Sequence, residues 1–449
     1  MRILFTIHHF LPRYTAGAEI YCYNLARAMS ESNEVLVFYA DEEQGKEQYS
    51  VERGAYRGVN YVRVINNHEG ESFEETYDNK RIDTIFSDVL DEFRPDIVHC
   101  QHLMNLSANI IQITKERGIP VVVTLHEFWM MCPFGGQRLR PDLSICRNIH
   151  SFRCAECVLI QRGILPNRYH NSLFPCAQGE SNRLSVQRDS SARRLLRRLR
   201  QTVLYTRRIL KRTEYLRAML AQADLLVAPS PFLRNEFLRW GVSPERIIFS
   251  DYGHHANLSR GFQRTPSSQV RFAYIGTIVP HKGVHVLVEA FNKIEHPNAS
   301  LRIYGDMTRF PQYGRHVITL ARNPNISFCG EFDSADVKEI FENIDVLIVP
   351  SLWYENSPLT IHEAFLTRTP VIASNHGGMA DLVKHMQNGL LFEVGNPDEL
   401  AQTISSLVEQ PGLLEKLRAG IGPVKTIEED VLSFLTDRYK SLIKTGQVR

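Results

Sequence analysis

Two glutamates, separated by seven residues, stand in a stretch of this sequence that is well placed for chemistry. The stretch runs from Glu355 to Glu363 and follows the apolar run 346–349, which has the composition of a buried strand. Helical spacing over 360–366 puts Glu355 on a strand-to-helix turn and Glu363 about two helical turns further on. Backbone N–H groups and the dipole at a helix start bind anions such as phosphate. The two carboxylates then either contact two parts of one polar ligand or are a capping acid and an unrelated surface acid.

The elements that must position these residues alternate between strands and helices. A strand over 2–7 leads through a loop to Gly17 and a helix over 18–29, and His126 directly follows a strand over 121–125. Lys282 lies between a strand over 270–275 and a helix over 284–293. Such alternation predicts parallel sheets wound on both faces, which bind ligands beyond the carboxyl ends of their strands. Further strands are predicted at 34–38, 62–65, 97–100, 223–230, 247–249, 300–304, 326–328, 346–349, 371–373 and 390–393, and further helices at 232–240, 334–344 and 429–443.

Length and composition favour two globular domains. The chain has 449 residues, which favours two domains. Its hydrophobic content of 43% argues against extended disorder. Its formal net charge of +2 does not favour nucleic-acid binding. We predict an N-terminal domain over 1–252 with an insertion over 130–215, a linker over 253–268, a second domain over 269–428 and a terminal helical segment over 429–449. The N-terminal apolar run is too short for a signal peptide, so the expected location is the cytoplasm.

Four landmarks resemble one enzyme family. The segment 350–359, Pro-Ser-Leu-Trp-Tyr-Glu-Asn-Ser-Pro-Leu, resembles the signature of retaining glycosyltransferases of family 4, in which two glutamates are seven residues apart. The same family has a Lys-Gly pair after the first strand of its second domain, a Gly-Gly-Ala-Glu-like turn and a histidine after an early strand. Here these are 282–283, 16–19 and His126, in the family's order over nearly the whole chain.

The resemblance implies the GT-B fold, with two Rossmann-like doubly wound domains facing a central cleft. The first domain would bind the acceptor, the second the nucleotide sugar, and the terminal helix would return to the first domain. The catalytic residues implied are His126 beside the transferred sugar, Lys282 at the diphosphate and Glu355 at the sugar hydroxyls. The donor-binding residues implied are Gly17, Gly276, Thr277, Lys282, Asn356, Ser357, Pro358, Leu359, Thr360 and Glu363, the last on the nucleotide ribose.

Two positions depart from the family pattern. His126 is followed by Glu127 where the family has aspartate, and Thr277 stands where an arginine commonly follows Gly276. One positive charge is therefore missing, for which His281 and Arg13 are candidate replacements.

The chemistry implied is a hexosyltransferase-type reaction (EC 2.4) from a nucleoside-diphosphate sugar to a glycan, lipid-linked or small-molecule acceptor, with retention of anomeric configuration. Polysaccharide or glycolipid biosynthesis is the expected setting. Lys282 and the helix start would stabilise the leaving diphosphate. The sequence contains no Asp-x-Asp motif, so no cofactor is expected for catalysis. The alternative is a sugar-nucleotide-binding or isomerising protein of the same fold; a glycosidase with paired carboxylates fits less well, because a nucleotide site would have no purpose.

A cysteine cluster falls within the predicted insertion. Four thiolates can form a closed tetrahedral zinc site. The candidate ligands of a structural zinc ion are Cys132, Cys146, Cys154 and Cys157, with Cys176 left over. Buried free thiols and a redox pair are the alternatives.

A basic helix is predicted from residue 192 onward. The stretch 183–212 holds ten arginines and one lysine against one acid, Asp189, with leucines at helical spacing. Such a helix favours an anionic membrane surface as a partner, or is a solvated face packed on the first domain. With Tyr205 the only aromatic residue in it, nucleic acid is not expected as a partner. The basic side chains proposed for docking are Arg193, Arg194, Arg197, Arg198, Arg200, Arg207, Arg208, Lys211 and Arg212.

Overall fold

A computed structural model describes residues 1–165, 191–333 and 336–446. Within this part of the chain, the strands form one sheet of eight and one of six. The first sheet contains β1 (Arg2–Ile7), β2 (Glu34–Asp41), β3 (Val51–Tyr56), β4 (Val59–Ile65), β5 (Ile97–Cys100), β6 (Val121–Thr124), β7 (Leu225–Ala228) and β8 (Ile247–Phe249). The second contains β9 (Val270–Ile275), β10 (Ala299–Tyr304), β11 (Ile326–Gly330), β12 (Val346–Val349), β13 (Val371–Ser374) and β14 (Gly389–Phe392).

Helices cover both faces of each sheet. They are α1 (Gly17–Met29), α2 (Lys80–Phe93), α3 (Ile110–Glu116), α4 (Ser151–Gln161), α5 (Ser191–Leu220), α6 (Pro231–Arg239), α7 (Val284–Phe291), α8 (Pro311–Leu320), α9 (Val337–Glu342), α10 (Leu359–Leu366), α11 (Gly377–Leu382), α12 (Pro397–Glu409), α13 (Pro411–Ala419), α14 (Ile427–Leu432) and α15 (Lys440–Gly446). Along β1, Leu4 packs in the core on one face of the sheet and its neighbours Ile3 and Phe5 in the core on the other. This alternation is the two-residue period of a strand buried on both sides.

Strand order decides where a ligand can bind. The second sheet runs β11-β10-β9-β12-β13-β14, so the direction of winding reverses between β9 and β12. The first sheet, β3-β4-β2-β1-β5-β6-β7-β8, reverses between β1 and β5. The loops that follow these strands border a crevice at the carboxyl edge of each sheet. The loop with Lys282 follows β9, the loop with Glu355 follows β12, and His126 follows β6.

Several boundaries differ from the sequence predictions. The first sheet is not wholly parallel, because β3 pairs antiparallel with β4 as an edge hairpin. The helix predicted over 334–344 is α9, which begins at Val337 and ends at Glu342, while 334–335 lie outside the described residues. The predicted terminal helix is α14, a wide turn over 433–439 with π-type hydrogen bonding, and α15.

The terminal segment packs on the first domain, where Ile427, Phe434 and Tyr439 join the core beside β1 and α1. Among the described helices, none is long and apolar enough to cross a membrane. Helix α5 does form, and it begins within the predicted basic stretch. The basic residues 183 and 188, like Cys176, lie outside the described residues, as do the side chains of Arg193 and Arg194.

Candidate active site

Glu355 is held as a buried carboxylate by donors that converge on one oxygen. Lys282 Nζ lies 2.5 Å from Glu355 Oε1. Trp353 Nε1 and Ser351 Oγ donate to the same oxygen at 2.8 and 2.9 Å. Burial raises the pKa of Glu355, but the charge of Lys282 and these hydrogen bonds outweigh it and hold the pKa below its ordinary value. The site therefore contains a fixed carboxylate that is ionised at neutral pH.

The loop between β9 and α7 positions Lys282. Gly276 and Thr277 begin this loop, and a short turn over 280–282 ends it. Gly283 has a φ of +71°, and a Cβ there would collide with the carbonyl oxygen of Pro350. Glycine after Lys282 thus lets the loop lie directly on the loop that carries Glu355.

His281 and Arg13 are the candidates for the positive charge that is missing at Thr277. His281 is neutral, and Arg13 forms an ion pair elsewhere. Burial, together with the charge of Lys282, lowers the pKa of His281 to about 4, so His281 is neutral at pH 7. Arg13 Nη1 lies 3.1 Å from Asp41 Oδ1. His281 therefore does not replace the missing cation, and Arg13 is paired within the first domain.

Glu363 differs from Glu355 because its carboxylate is unpaired. It is half-buried on α10, and among the described residues it has no hydrogen-bond or ion-pair partner for its carboxylate. Burial raises its pKa from 4.5 to about 7. The two unpartnered oxygens of this carboxylate are suited to accept hydrogen bonds from two adjacent hydroxyls, such as those of a vicinal diol.

The start of α10 is free of a side-chain cap. Pro358 is the residue before the helix and caps no N–H group. The side chain of Leu359, the first helical residue, lies 3.7 Å from where a Cβ on Gly17 would stand. The N–H groups near Thr360 therefore begin a helix at the junction of the two domains, an arrangement that favours an anion.

Asn356 and Ser357 link the two domains. Asn356 Nδ2 donates to the backbone oxygen of His126 at 2.8 Å. Ser357 Oγ donates to Asp251 Oδ1 at 2.8 Å and lies 2.8 Å from His362 Nε2. Their side chains thus hold the loop against the first domain, whereas the sequence predicted them at the donor.

His126 is a neutral imidazole with protein partners on both nitrogens. Nε2 lies 2.8 Å from Gln101 Oε1, an acceptor, so Nε2 carries the proton. Nδ1 then accepts from the Tyr252 hydroxyl at 2.5 Å. Burial, followed by nearby His102 and His99, lowers the pKa of His126 well below its ordinary value. The predicted contact with sugar hydroxyls thus requires one of these partners to be exchanged for substrate.

A cluster of imidazoles and carboxylates that sequence reasoning missed lies beside His126. His8 Nε2 lies 3.2 Å from Glu19 Oε1, and His102 Nε2 lies 2.8 Å from Glu127 Oε1. The rings of His8 and His102 are 4.2 Å apart. Burial raises the pKa of Glu19 by more than a backbone hydrogen bond and the nearby charges of His102 and Arg309 lower it. Glu127, which stands where the family has aspartate, is therefore the partner of His102 in this structure.

The missed residues had a usable signal. His8 directly follows β1, and His102 comes two residues after β5, so both stand at the same sheet edge as His126. Gly378 at the start of α11 is a further missed position: its N–H donates to Glu355 O at 2.6 Å, and a Cβ there would overlap Asn356 O. A Gly-Gly pair at the start of a helix, two residues after the end of a strand, is the pattern that predicts such a close approach.

The four predicted zinc ligands lie close enough together to interact electrostatically. The pKa of Cys154 is raised to about 12, chiefly by burial. Its neighbours Cys132, Cys146 and Cys157 add to the rise. All four are free thiols. Within the described ranges, no group of three or more His, Cys, Asp or Glu side chains is arranged to hold a metal ion. The zinc site stays a prediction.

Comparison with known families matches both domains. The model of the glycosyl transferases group 1 matches residues 257–421, and that of glycosyltransferase family 4 matches residues 15–159. A putative glycosyltransferase of Bacillus subtilis, YtcC, is 30% identical over 153 residues, which are 32% of this chain and 38% of that protein. The chain spans well under half the length of the first curated relatives it matches.

Solved structures match over the whole chain. A glycosyltransferase from Rickettsia africae has a TM-score of 0.64 at 16% identity, covering 99% of this chain and 98% of that one. The Anabaena protein Alr3699/HepE in complex with UDP and glucose has a TM-score of 0.58 at 16% identity, covering 99% and 97%.

Fold and site together define a GT-B protein, with two Rossmann-like domains and polar residues gathered at their facing sheet edges, and so confirm the predicted fold. The chain carries a glycosyl transferases group 1 domain over residues 257–421 and a glycosyltransferase family 4 domain over residues 15–159.

Proposed function

We propose that this protein is a retaining glycosyltransferase that moves a sugar from a nucleoside-diphosphate sugar to a hydroxyl of a glycan, lipid-linked or small-molecule acceptor. The observation that carries the proposal is the meeting of Lys282, ionised Glu355 and the uncapped start of α10 at the point where the second sheet reverses. The Anabaena protein of the same fold was also crystallised with UDP-glucose, which supports this class of donor.

Lys282 and α10 would stabilise the leaving group. As the anomeric bond stretches, negative charge builds up on the diphosphate oxygen, and a preorganised cation and helix start lower the energy of that state. Lys282 is preorganised by its 2.5 Å contact with Glu355. Its ammonium has three N–H donors, so it can hold Glu355 and a phosphate oxygen at once.

The two glutamates would divide the donor between them. Glu355 is ionised and fixed beside Lys282, where it would accept from hydroxyls of the transferred sugar. Glu363 has a free carboxylate and would accept from the two ribose hydroxyls. Hydrogen bonding to a charged acceptor contributes about 1.5–3 kcal/mol.

In the proposed reaction, the bond from the anomeric carbon to the diphosphate oxygen breaks and a bond from that carbon to the acceptor oxygen forms on the same face. The acceptor proton passes to the departing diphosphate oxygen, so no protein base is consumed. The buried cluster around His126 would border the sugar and the acceptor, and burial keeps His126 and His8 neutral by lowering the pKa of each. Neutral rings can donate and accept hydrogen bonds without competing for the charge of the diphosphate.

We place the reaction in the cytoplasm, in polysaccharide or glycolipid biosynthesis. A lipid-linked acceptor would bring the enzyme to the inner face of a membrane, whereas a free glycan would not require it. The alternative function, binding or isomerising a sugar nucleotide, would use the same donor site.

The test is release of nucleoside diphosphate from a panel of UDP-, GDP- and ADP-sugars, with and without an extract of acceptor lipids. We expect release with one donor, dependent on acceptor and lost in Lys282→Ala. Thermal stabilisation by a donor with no release under any condition would favour the binding or isomerising alternative. No stabilisation and no release across the panel would remove the donor site.

A further inference from the structure

The outer face of α5 exposes an unusual number of large apolar side chains. Within 15 residues of this helix, five of them are between 43% and 66% exposed. They are Leu196, Leu199, Val203, Leu204 and Leu210. Large apolar side chains gathered on one exposed surface mark a contact with a partner or a membrane, whereas single ones need no explanation.

The opposite face anchors α5 to the first domain. Tyr205, Ile209 and Leu216 are buried in the core of that domain. Arg212, which the sequence assigned to membrane docking, is 2% exposed, and its guanidinium donates to the backbone oxygen of Trp129 at 2.6 Å. That assignment of Arg212 was wrong, because the spacing of 205, 209, 212 and 216 turns it inward. The contacts of this inner face hold α5 on the first domain, and the outer face is not needed for that packing.

Basic side chains flank the apolar stripe. Arg197, Arg200, Arg207 and Lys211 are exposed, and none of the four has an ion pair among the described residues. On an ideal helix, Leu199, Val203 and Leu210 project on one side of the outer face and these cations on the other, with Leu196 between the two sides and Leu204 among the cations. Between residues 196 and 213 the sequence contains no acid. An apolar stripe beside a row of cations is the pattern of a helix that lies in a lipid interface.

Charge decides among the occupants of this face. A second copy would place one row of cations against another, which is unfavourable. Residues 166–190 contain three arginines and two acids, so they offer no negative surface either. An anionic lipid layer offers negative headgroups for the cations and acyl chains for the leucines.

We infer that the outer face of α5 docks the first domain on an anionic lipid surface, with the leucines at the acyl boundary and the four cations at the headgroups. As a step of glycolipid assembly this docking rests on the proposed function, but lipid binding does not need the transfer reaction. Vesicle binding and donor binding can therefore fail separately.

The experiment is co-sedimentation of the full chain with vesicles of phosphatidylcholine alone or with about a third phosphatidylserine. We expect binding to the anionic vesicles only, weakening as salt shortens the Debye length from about 10 Å at 0.1 M to about 3 Å at 1 M. Changing Arg197, Arg200, Arg207 and Lys211 to Gln should lower partitioning about a hundredfold or more, since each cation near the surface contributes about fivefold. Leu199→Gln with Val203→Gln should also weaken binding, and here the loss should persist at high salt.

The matched control replaces four exposed cations of the second domain by Gln: Arg315, Arg322, Lys384 and Lys416. This control and both α5 variants should keep the UDP affinity of the wild type, and the control should keep vesicle binding. Equal binding to neutral and anionic vesicles, no binding to either, or equal loss in the control would overturn the inference. So would a wild-type dimer in sedimentation velocity that Leu199→Gln with Val203→Gln converts to monomer, because a second copy would then cover this face.

Discussion

Glu363 is the carboxylate of the site that has no partner in the described structure, so its removal tests donor binding most directly. Glu363→Ala should weaken binding of UDP or a UDP-sugar by about 1.5–3 kcal/mol, the range for hydrogen bonds to a charged group. The fold should persist, because the side chain is half-buried and its carboxylate has no hydrogen-bond or ion-pair partner among the described residues. Calorimetry on both proteins measures the difference, and an unchanged affinity would place the ribose elsewhere.

The pH dependence of stability tests whether the pKa of Glu363 is raised in the folded protein. Its folded pKa of about 7 lies above its ordinary value of 4.5. Between these values the folded state binds more protons than the unfolded state, so this group's contribution to stability is lost as pH rises from 4.5 to about 7. Glu363→Gln should remove that part of the slope in unbound protein. If both proteins keep the same slope, the pKa of Glu363 is not raised.

Lys282 should matter for turnover more than for folding. Lys282→Ala should lower turnover about a hundredfold or more, the scale for losing one preorganised group that stabilises developing charge. Lys293 provides the control, because its side chain is 46% exposed and pairs with exposed Asp398. Lys293→Ala should have near wild-type turnover. A Lys282→Ala enzyme as active as Lys293→Ala would mean that another cation stabilises the diphosphate.

At the scale of residues, sequence reasoning found those that a strand-to-helix turn presents. Glu355 and Lys282, predicted from two such turns, lie 2.5 Å apart. It missed the pairing of His8 with Glu19, because a lone histidine in sequence gives no sign of its partner. It could not have assigned Asn356 to the backbone of His126, since that contact depends on how the two domains meet.

At the scale of elements, the loop that carries Lys282 depends on one glycine. Gly283→Ala should destabilise the protein by about 1–3 kcal/mol from its backbone conformation alone, with more from the collision with Pro350 O. It should also lower turnover, because Lys282 would shift. The control is Gly412→Ala in α13, where no atom lies within 4 Å of the added Cβ; it should be neutral or slightly stabilising. Urea unfolding of both variants makes the comparison, and equal stability would contradict the tight packing of this loop.

The cysteine segment is tested by metal content. If Cys132, Cys146, Cys154 and Cys157 bind zinc, protein prepared without chelators should contain about one zinc ion per chain. Cys154→Ser should lose it, while Cys329→Ser, at an exposed and distant thiol, should keep it. Four titratable thiols in that segment with no metal would dispose of the site and leave buried free thiols.

Elements with buried apolar runs could be predicted closely, and others could not. The bounds of β5, β9 and β12 agree with the runs that predicted them. The hairpin strand β3 was missed because its burial is partial and Gly54 interrupts its pattern. The register of a partly exposed edge strand is set by its neighbour, β4, rather than by its own sequence.

At the scale of the whole molecule, Asp430 joins the last segment of the chain to the first domain. It is fully buried and accepts from the Tyr21 hydroxyl at 2.7 Å and from the Gly253 N–H at 3.2 Å. Lys425 forms an ion pair with its other oxygen. These partners come from α1, from the linker and from the stretch just before α14, so one carboxylate fastens the end of the chain to two distant parts of it.

Asp430→Ala should therefore destabilise the first domain although the residue follows the second. Removing one partner of a buried ion pair costs about 3–5 kcal/mol, because Lys425 and the Tyr21 hydroxyl lose their acceptor. Hydrogen exchange should accelerate in α1 and β1 and stay unchanged in β12 and β13, whose core does not include the terminal segment. Glu428→Ala, an exposed change on the same helix, is the control and should leave both domains as they are. Equal acceleration in both domains, or in neither, would contradict the proposed role of Asp430 as the tie between the chain's end and its beginning.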